Sequence, residues 1–326
     1  MRIALIGAGF IAASHAAAAR AAGVEIAGVT DNYAAASARF AATWGVASIP
    51  SVDDVLADDT IDAVVVCTPN DTHFELALAV AAAGKSLLLE KPMALSAEDA
   101  GNVVRAFERS GKVLLVGHTH RHADYAQRIR DVVHSGAIGE VRALRIAITG
   151  GWIWGGWSSW VLDPARSGGH AFHNGVHLYD LAAWWLGSPI TSVYAVGQPL
   201  SSAALQIDDY LCATLVTSTG ATAVCEISRG ERPRGTSMFE LVVHGDRGTL
   251  VRSNGAEGWV AYTTGASGPR AAATNDPFLK QMRVFAAAVA GGAPSEPSPH
   301  DAVRATVIAE AVEASARTGR TVRIAS

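Results

Sequence analysis

The feature that most constrains this chain is a glycine turn wedged between a short apolar run and a helical pattern. Residues 2–6 read RIALI, and Gly7-Ala8-Gly9-Phe10-Ile11-Ala12 follows directly as GxGxxA. Glycine at the first two positions permits a tight turn and lets backbone N–H groups approach a pyrophosphate, whose charge the helix N-terminus favours. Ala12 is small enough for helix-to-strand packing where a third glycine would stand. Small residues also recur in plain βα turns, so context decides. Asp31 ends the next apolar run, VEIAGVT (24–30), nineteen residues after Ala12. A carboxylate there accepts hydrogen bonds from a ribose diol and repels a 2′-phosphate. No Arg or Lys follows in Asp31-Asn32-Tyr33, which favours NAD over NADP. The alternative is that Asp31 merely caps the helix after it.

The alternation of apolar runs and helical patterns continues through DAVVVC (62–67), SLLLE (86–90) and KVLLVG (112–117). Ser51 with Asp54, and Ser96 with Asp99, stand three apart as N-cap and first-turn acid, while Gly23, Gly45, Gly84 and Gly111 occupy expected helix exits. Five such strands predict a doubly wound parallel sheet over residues 1–121. After Gly117 the texture changes. A helix within HADYAQRIRDVVHSGAIG leads to a strand at 141–149, a Gly/Trp-rich stretch, and a helix from about His170 to Leu186. The strands TSVYAVG, DDYLCATLVTS, ATAVCEIS, TSMFELVVHG and TLVRS then come as a run, the pattern of a mostly antiparallel sheet with one open face. The expected fold class is α/β plus α+β, with a Rossmann domain at 1–121 and a second domain at 122–326. GGAPSEPSPH (291–300) reads as the loop before a last amphipathic helix.

Composition narrows the function classes. The 326 residues suit two domains, and 49% apolar against 17% charged residues suit a packed globular chain. A net charge of −4 without a basic block gives no footing for nucleic acid. Cys67, Cys212 and Cys225 are too few and too scattered for a disulfide framework or a zinc cage, which points to a reducing cytoplasm. MRIALIGAGFIAASHAAAAR superficially resembles a secretory leader, but Gly7 and Gly9 interrupt its apolar region. No run of ~20 strongly apolar residues suggests a membrane span.

Further candidate residues gather at strand ends. Cys67-Thr68-Pro69-Asn70-Asp71-Thr72-His73 follows the third strand and Glu90-Lys91-Pro92 the fourth, both facing the crevice where open α/β sheets bind ligands. Lys91 precedes proline and is held extended; it either hydrogen-bonds a substrate hydroxyl or is a solvated loop lysine. SGGHAFHNGVHLYD (167–180) places His173 and His177 four apart on one helix face, and GHTHRH (117–122) adds His118, His120 and His122, alternate residues that share a face if extended. Acid–base residues, a metal site and buried hydrogen-bonded histidines all fit these groups, although no carboxylate stands clearly among them. The segment from Gly150 to Trp160 carries Trp152, Trp154, Trp157 and Trp160, which suit a substrate lid or a subunit contact.

These pieces together resemble the glucose-fructose oxidoreductase, inositol dehydrogenase and rhizopine-catabolism (Gfo/Idh/MocA) family. GAGFIA, Asp31, CTPNDTH, EKP, GHTHRH with HSGAIGEV, NGVHLYDLAAWWLG and the final DAVRATVIAEAVEASARTGR occur in the family's order, nearly end to end. The pairing of EKP with Gly175, His177 and Asp180 is the specific part. The resemblance implies NAD(P)-dependent oxidation or reduction at a secondary alcohol of a sugar, cyclitol or glycoside. It implies dimers or tetramers formed through the open sheet. Lys91 and His177 become the expected catalytic residues, with His173 beside them. Gly7, Gly9, Phe10, Ile11, Asp31, Asn32, Thr68, Pro69, Asn70, His73, Glu90, Lys91 and His118 become the cofactor set, with Glu90 near the ribose. His120, Arg121, Asp163, Asn174, Trp152, Trp154 and Trp157 are the expected substrate contacts. One departure stands out: the family often has Asp-x-Gly-x-His where this chain has His173-Asn174-Gly175-Val176-His177. Losing that anion lowers a nearby lysine's pKa, which would poise Lys91 as a base near neutral pH with His177 relaying the proton. A redox-neutral glycosidase working through a transient keto-sugar, a non-catalytic cofactor-sensing regulator and a metal-dependent enzyme are the other readings.

Overall fold

A computed structural model describes residues 1–151, 159–231, 237–252, 258–263, 267–271, 276–291 and 294–325. The chain forms two compact units, residues 1–122 with 276–303, and residues 123–275 with 304–326.

The first unit is built on β1 (Arg2–Ile6), β2 (Glu25–Thr30), β3 (Ala47–Ser48), β4 (Ala63–Val66), β5 (Ser86–Leu89) and β6 (Leu114–Val116), all parallel, in the order β3-β2-β1-β4-β5-β6. Side chains alternate across the sheet. Ile3, Leu5, Val29, Val65, Leu88 and Leu115 pack under α1 (Phe10–Ala21) and α2 (Ala34–Trp44). Ala4, Ile6, Val64, Val66, Leu87 and Leu89 pack under α3 (Val52–Ala57), α4 (His73–Ala82) and α5 (Ala97–Ser110). Ser51 and Ser96 cap α3 and α5 by accepting the amides of Asp54 and Asp99, each cap contributing about 1 kcal/mol.

Two differences from the sequence expectation concern this unit. The two-residue β3 is too short to carry a hydrophobic pattern. The domain expected at 122–326 also does not hold together as one unit, because residues 276–303 belong with the first. Later in the chain, α9 (Pro277–Val289) buries Met282 and Phe285 completely in the core that α1 covers, an apolar face that finds its partner in the Rossmann layer.

The second unit opens with α6 (Asp124–His134) and β7 (Val141–Gly150), followed by the short α7 (Pro164–Ser167) and by α8 (Val176–Leu186). The sheet adds β8 (Ile190–Gln198), β9 (Tyr210–Thr217), β10 (Thr222–Ser228), β11 (Ser237–Gly245), β12 (Gly248–Arg252), β13 (Gly258–Thr263), β14 (Ser267–Ala271) and, after α10 (Pro299–Thr318), β15 (Val322–Arg323). Its order is β14-β13-β12-β11-β7-β10-β9-β8-β15, and of the described pairings β7 with β10 is parallel while the rest are antiparallel. One face, with Leu144, Ile146, Ala213, Leu215, Ala223 and Cys225, is buried, and α8 lies on β7 and β10. Trp185 of α8 donates its indole N–H to the Ala126 carbonyl of α6 at 3.1 Å, which ties the two helices. On the other face Tyr194, Val196 and Met238 are exposed.

Candidate functional site

The strand order reverses between β1 and β4, so the carboxyl ends of these two strands open the crevice in which doubly wound sheets bind ligands. Gly7 lies at that point with φ +98° and donates its N–H to Thr30 O at 2.8 Å. A Cβ on Gly7 would stand 2.6 Å from the Cys67 carbonyl oxygen, so the close approach of the two strand ends demands glycine. Gly9 is the N-cap of α1, takes no side-chain cap, and has nothing within 4 Å of the position a Cβ would fill. The open space beside Gly9, at an N-terminus with no side-chain cap, suits a pyrophosphate cradle. Gly7→Ala is expected to weaken NAD binding and lower Tm by roughly 2–10 °C, from about 1–3 kcal/mol of backbone strain together with the contact to Cys67. Calorimetric titration and thermal unfolding check this; wild-type values for both would contradict it.

Asp31 is fixed rather than loose. Its Oδ2 accepts the Ala8 N–H and its Oδ1 accepts the Tyr33 N–H, both at 2.8 Å. One bond reaches back to the glycine turn, so the carboxylate is held beside the cradle and does not simply cap α2, whose N-cap is Tyr33. The residues present thus fit an NAD-type dinucleotide: a cradle for two phosphates and an oriented acceptor for a ribose diol. Phe10 and Tyr33 flank this edge and are 86% and 79% exposed. Ile11 lies in the first turn of α1, and Asn32 follows Asp31 in the turn after β2.

At the end of β4 the chain turns through a 3₁₀ segment, Asn70–Thr72, in which Asn70 is buried. Thr68 Oγ1 and Thr72 Oγ1 lie 2.6 Å apart, and the Thr72 hydroxyl donates to Pro69 O. His73 is fully buried, with Nδ1 2.7 Å from Pro92 O and Nε2 3.0 Å from Thr68 O. Its ring fastens the loop after β4 to the loop after β5. Burial pulls the His73 pKa below its usual value, against the opposing pull of the Pro92 and Thr68 carbonyls and of Glu90.

Glu90 and Lys91 follow β5. Lys91 is half-buried, whereas Glu90 spends its oxygens inside the protein: Oε1 lies 2.7 Å from Nε2 of His15, and Oε2 accepts the Lys91 N–H at 3.2 Å. His15 is a functional candidate that sequence reasoning missed. The signal was available, because Ala12, His15, Ala16 and Ala19 form the buried stripe of α1, and a polar residue on such a stripe needs a partner.

Beyond β6, His118 is buried, and Thr119–His122 form a 3₁₀ turn. His118, His120 and His122 therefore do not share one face of an extended segment. Arg121, expected to touch substrate, is 3% exposed and pairs with Asp301 at 3.5 Å.

In the second unit, Asp163 caps α7 by accepting the Ala165 N–H at 3.0 Å. The expected helix from His170 begins with a π-helical turn, Ala171–Gly175, before α8. Asn174 Nδ2 lies 3.2 Å from His170 Nδ1 in that turn. The widened turn replaces regular α spacing, yet from Gly169 to Ala183 only His173 and His177 escape full burial. Trp160 meets the His173 ring edge-on at 5.3 Å. Trp152, Trp154 and Trp157 lie outside the described residues. Among the described residues no three His, Cys, Asp or Glu side chains converge as metal donors, and no helix is long and apolar enough to cross a membrane. The structure thus brings the expected cofactor set to one edge of the first unit's sheet and sets His173, Asn174 and His177 on one helical segment of the second.

Comparison with known proteins agrees with this layout. Residues 1–118 match an oxidoreductase family with an NAD-binding Rossmann fold, and residues 126–251 match the GFO/IDH/MocA C-terminal domain. Inositol 2-dehydrogenase of Rhizobium meliloti (strain 1021) is 28% identical over 342 residues, covering 100% of this chain and 99% of the relative. D-glucoside 3-dehydrogenase of Escherichia coli (strain K12) is 29% identical over 269 residues, covering 76% and 75%. Among solved structures, GenD2 from gentamicin A biosynthesis, in complex with NAD, superposes with a TM-score of 0.89 at 28% identity, covering 100% of this chain and 97% of that one.

Proposed function

The chain belongs to the Gfo/Idh/MocA family of NAD-binding oxidoreductases, and on that footing we propose that it interconverts a secondary hydroxyl and a ketone on a sugar, cyclitol or glycoside. The observation that carries this reading is the placing of the Gly7 cradle, the fixed Asp31 and Lys91 on one edge of the parallel sheet. Relatives named for inositol and glucoside oxidation support the substrate class. Bound NAD supplies the acceptor for the hydride that leaves the substrate carbon.

Oxidation also requires removal of the hydroxyl proton as the C–O bond becomes a carbonyl. Lys91 is assigned the role of proton acceptor and His177 the accompanying acid–base role, as the family resemblance gives them. Asp31 selects NAD, because a 2′-phosphate would meet its carboxylate. His120, Arg121, Asp163, Asn174 and the tryptophans at 152, 154 and 157 are assigned to orienting the other hydroxyls, Asp163 doing so through the Ala165 amide it holds and Arg121 through its ion pair with Asp301. Exposed Tyr194, Val196 and Met238 on the open sheet face support self-association into a dimer or tetramer. The free thiols of Cys67, Cys212 and Cys225 support a cytoplasmic setting.

The test is NADH formation by purified protein against inositols, free aldoses and alkyl or aryl glycosides, with aglycone release followed in parallel. NADH accumulation with one class is the expected result. Aglycone release without NADH would replace this reading by a redox-neutral glycosidase, and NAD binding without turnover on the whole panel would replace it by a cofactor-sensing regulator.

A further inference from the structure

Helix α1 buries an alanine stripe, with Ala12, Ala16 and Ala19 at 0% exposure, and His15 interrupts it at 1%. An imidazole buried among methyl groups is costly unless it is hydrogen-bonded. Its partner is the carboxylate of Glu90, itself 7% exposed, and the 2.7 Å separation is at the short end of the charge-assisted range. The pair is enclosed. Phe278 meets the His15 ring edge-on at 5.2 Å, and Gly117 lies so close that a Cβ there would stand 3.1 Å from Glu90 Oε1. The second oxygen accepts the Lys91 amide, so the carboxylate is tied at one end to α1 and at the other to the backbone of the lysine.

We propose that His15 is a positioning residue: through its bond to Glu90 it holds a negative charge fixed behind Lys91 and thereby tunes how tightly the Lys91 amine keeps its proton. The functional consequence rests on the reading of Lys91 as the proton acceptor. The groups that act on the Glu90 carboxylate are His15 from α1, His73 from α4 and the adjoining Lys91, with the Cys67 thiol at the end of β4 also coupled to it. Burial would raise the pKa of Glu90. The hydrogen bond and charge of His15, aided by Lys91 and His73, outweigh burial and hold it below the usual carboxylate value. The carboxylate therefore stays ionised near neutral pH, and an anion beside an ammonium favours the ammonium. His15 also leaves its Nδ1 without a partner, so the ring's polar work is directed at Glu90 alone.

The chain has four lysines, Lys85, Lys91, Lys112 and Lys280, few enough for side-chain NMR to follow each ammonium separately, with Lys91→Met identifying its resonance. In the protein without substrate, the Lys91 titration midpoint is expected to fall by about one pH unit in His15→Ala, where burial is no longer opposed by the imidazole and Glu90 takes up a proton, and at least as far in Glu90→Gln. It should stay near the wild-type value in His15→Gln, whose amide N–H can still donate to Glu90. The limb of the kcat/KM profile that Lys91 governs should move with the midpoint. A purely packing role for His15 would leave every lysine midpoint unchanged. Unchanged midpoints in both His15→Ala and Glu90→Gln overturn the proposal, as does a fall in His15→Gln equal to that in His15→Ala. Because the titration needs neither substrate nor turnover, it stands or falls separately from the dehydrogenase assay.

Discussion

Lys91→Met is expected to lower kcat/KM about 10²–10⁴-fold, the usual share of a positioned acid–base group. That loss corresponds to about 3–5 kcal/mol of transition-state stabilisation. Methionine keeps the length and apolar stem of the side chain and removes the titrating amine. The Lys91 amide, which binds Glu90, is untouched, and so are the Gly7 turn and the bonds from Ala8 and Tyr33 to Asp31. NAD affinity, read by calorimetry, should therefore stay within a few-fold of wild type while turnover collapses. A variant that binds NAD normally and turns over at the wild-type rate would remove Lys91 from the chemistry.

Asp31→Ala is expected to act on the cofactor rather than on the proton. Its carboxylate is the oriented acceptor at the ribose position, and hydrogen bonds to a charged group contribute about 1.5–3 kcal/mol each, so NAD should bind about 10–100-fold more weakly. Removing the anion also removes the repulsion against a 2′-phosphate. The ratio of kcat/KM for NAD to that for NADP should fall by more than the loss of NAD affinity alone. Steady-state kinetics with both cofactors measure this. An unchanged ratio would mean that cofactor choice is made elsewhere.

The parallel sheet was legible because its strands are buried on both faces and read as continuous apolar runs, and because Ser51, Ser96 and the helix-exit glycines mark the helix ends. Asp31 was legible for a similar reason: strand end, spacing and the absence of a following cation all coincide. What stayed hidden depends on tertiary partners. Helix α9 was not read from the sequence, and nothing local in it tells that Met282 and Phe285 will fill the core under α1. The two residues of β3 and of β15 are strands only because a neighbour pairs with them. The π turn at Ala171–Gly175 has no marker in HAFHNG, although it changes how His170, His173 and Asn174 are spaced around the axis. Arg121 looked like a substrate ligand by type, and its pairing with Asp301 lies far along the chain. His15 was hidden by its surroundings: in a run of alanines the eye reads propensity, whereas the informative fact is one polar side chain on the buried stripe.

The central claim is hydride transfer between a ring carbon bearing a hydroxyl and the nicotinamide of NAD. The most direct measurement offers the wild-type protein a substrate from the responding class deuterated at its ring carbons, and reads the recovered cofactor and product by mass spectrometry. One deuterium in the reduced cofactor and one equivalent of ketone formed with it are expected, both accumulating about 10²–10⁴-fold more slowly with Lys91→Met. Substrate consumed with no deuterium in the cofactor and no ketone formed would contradict the claim.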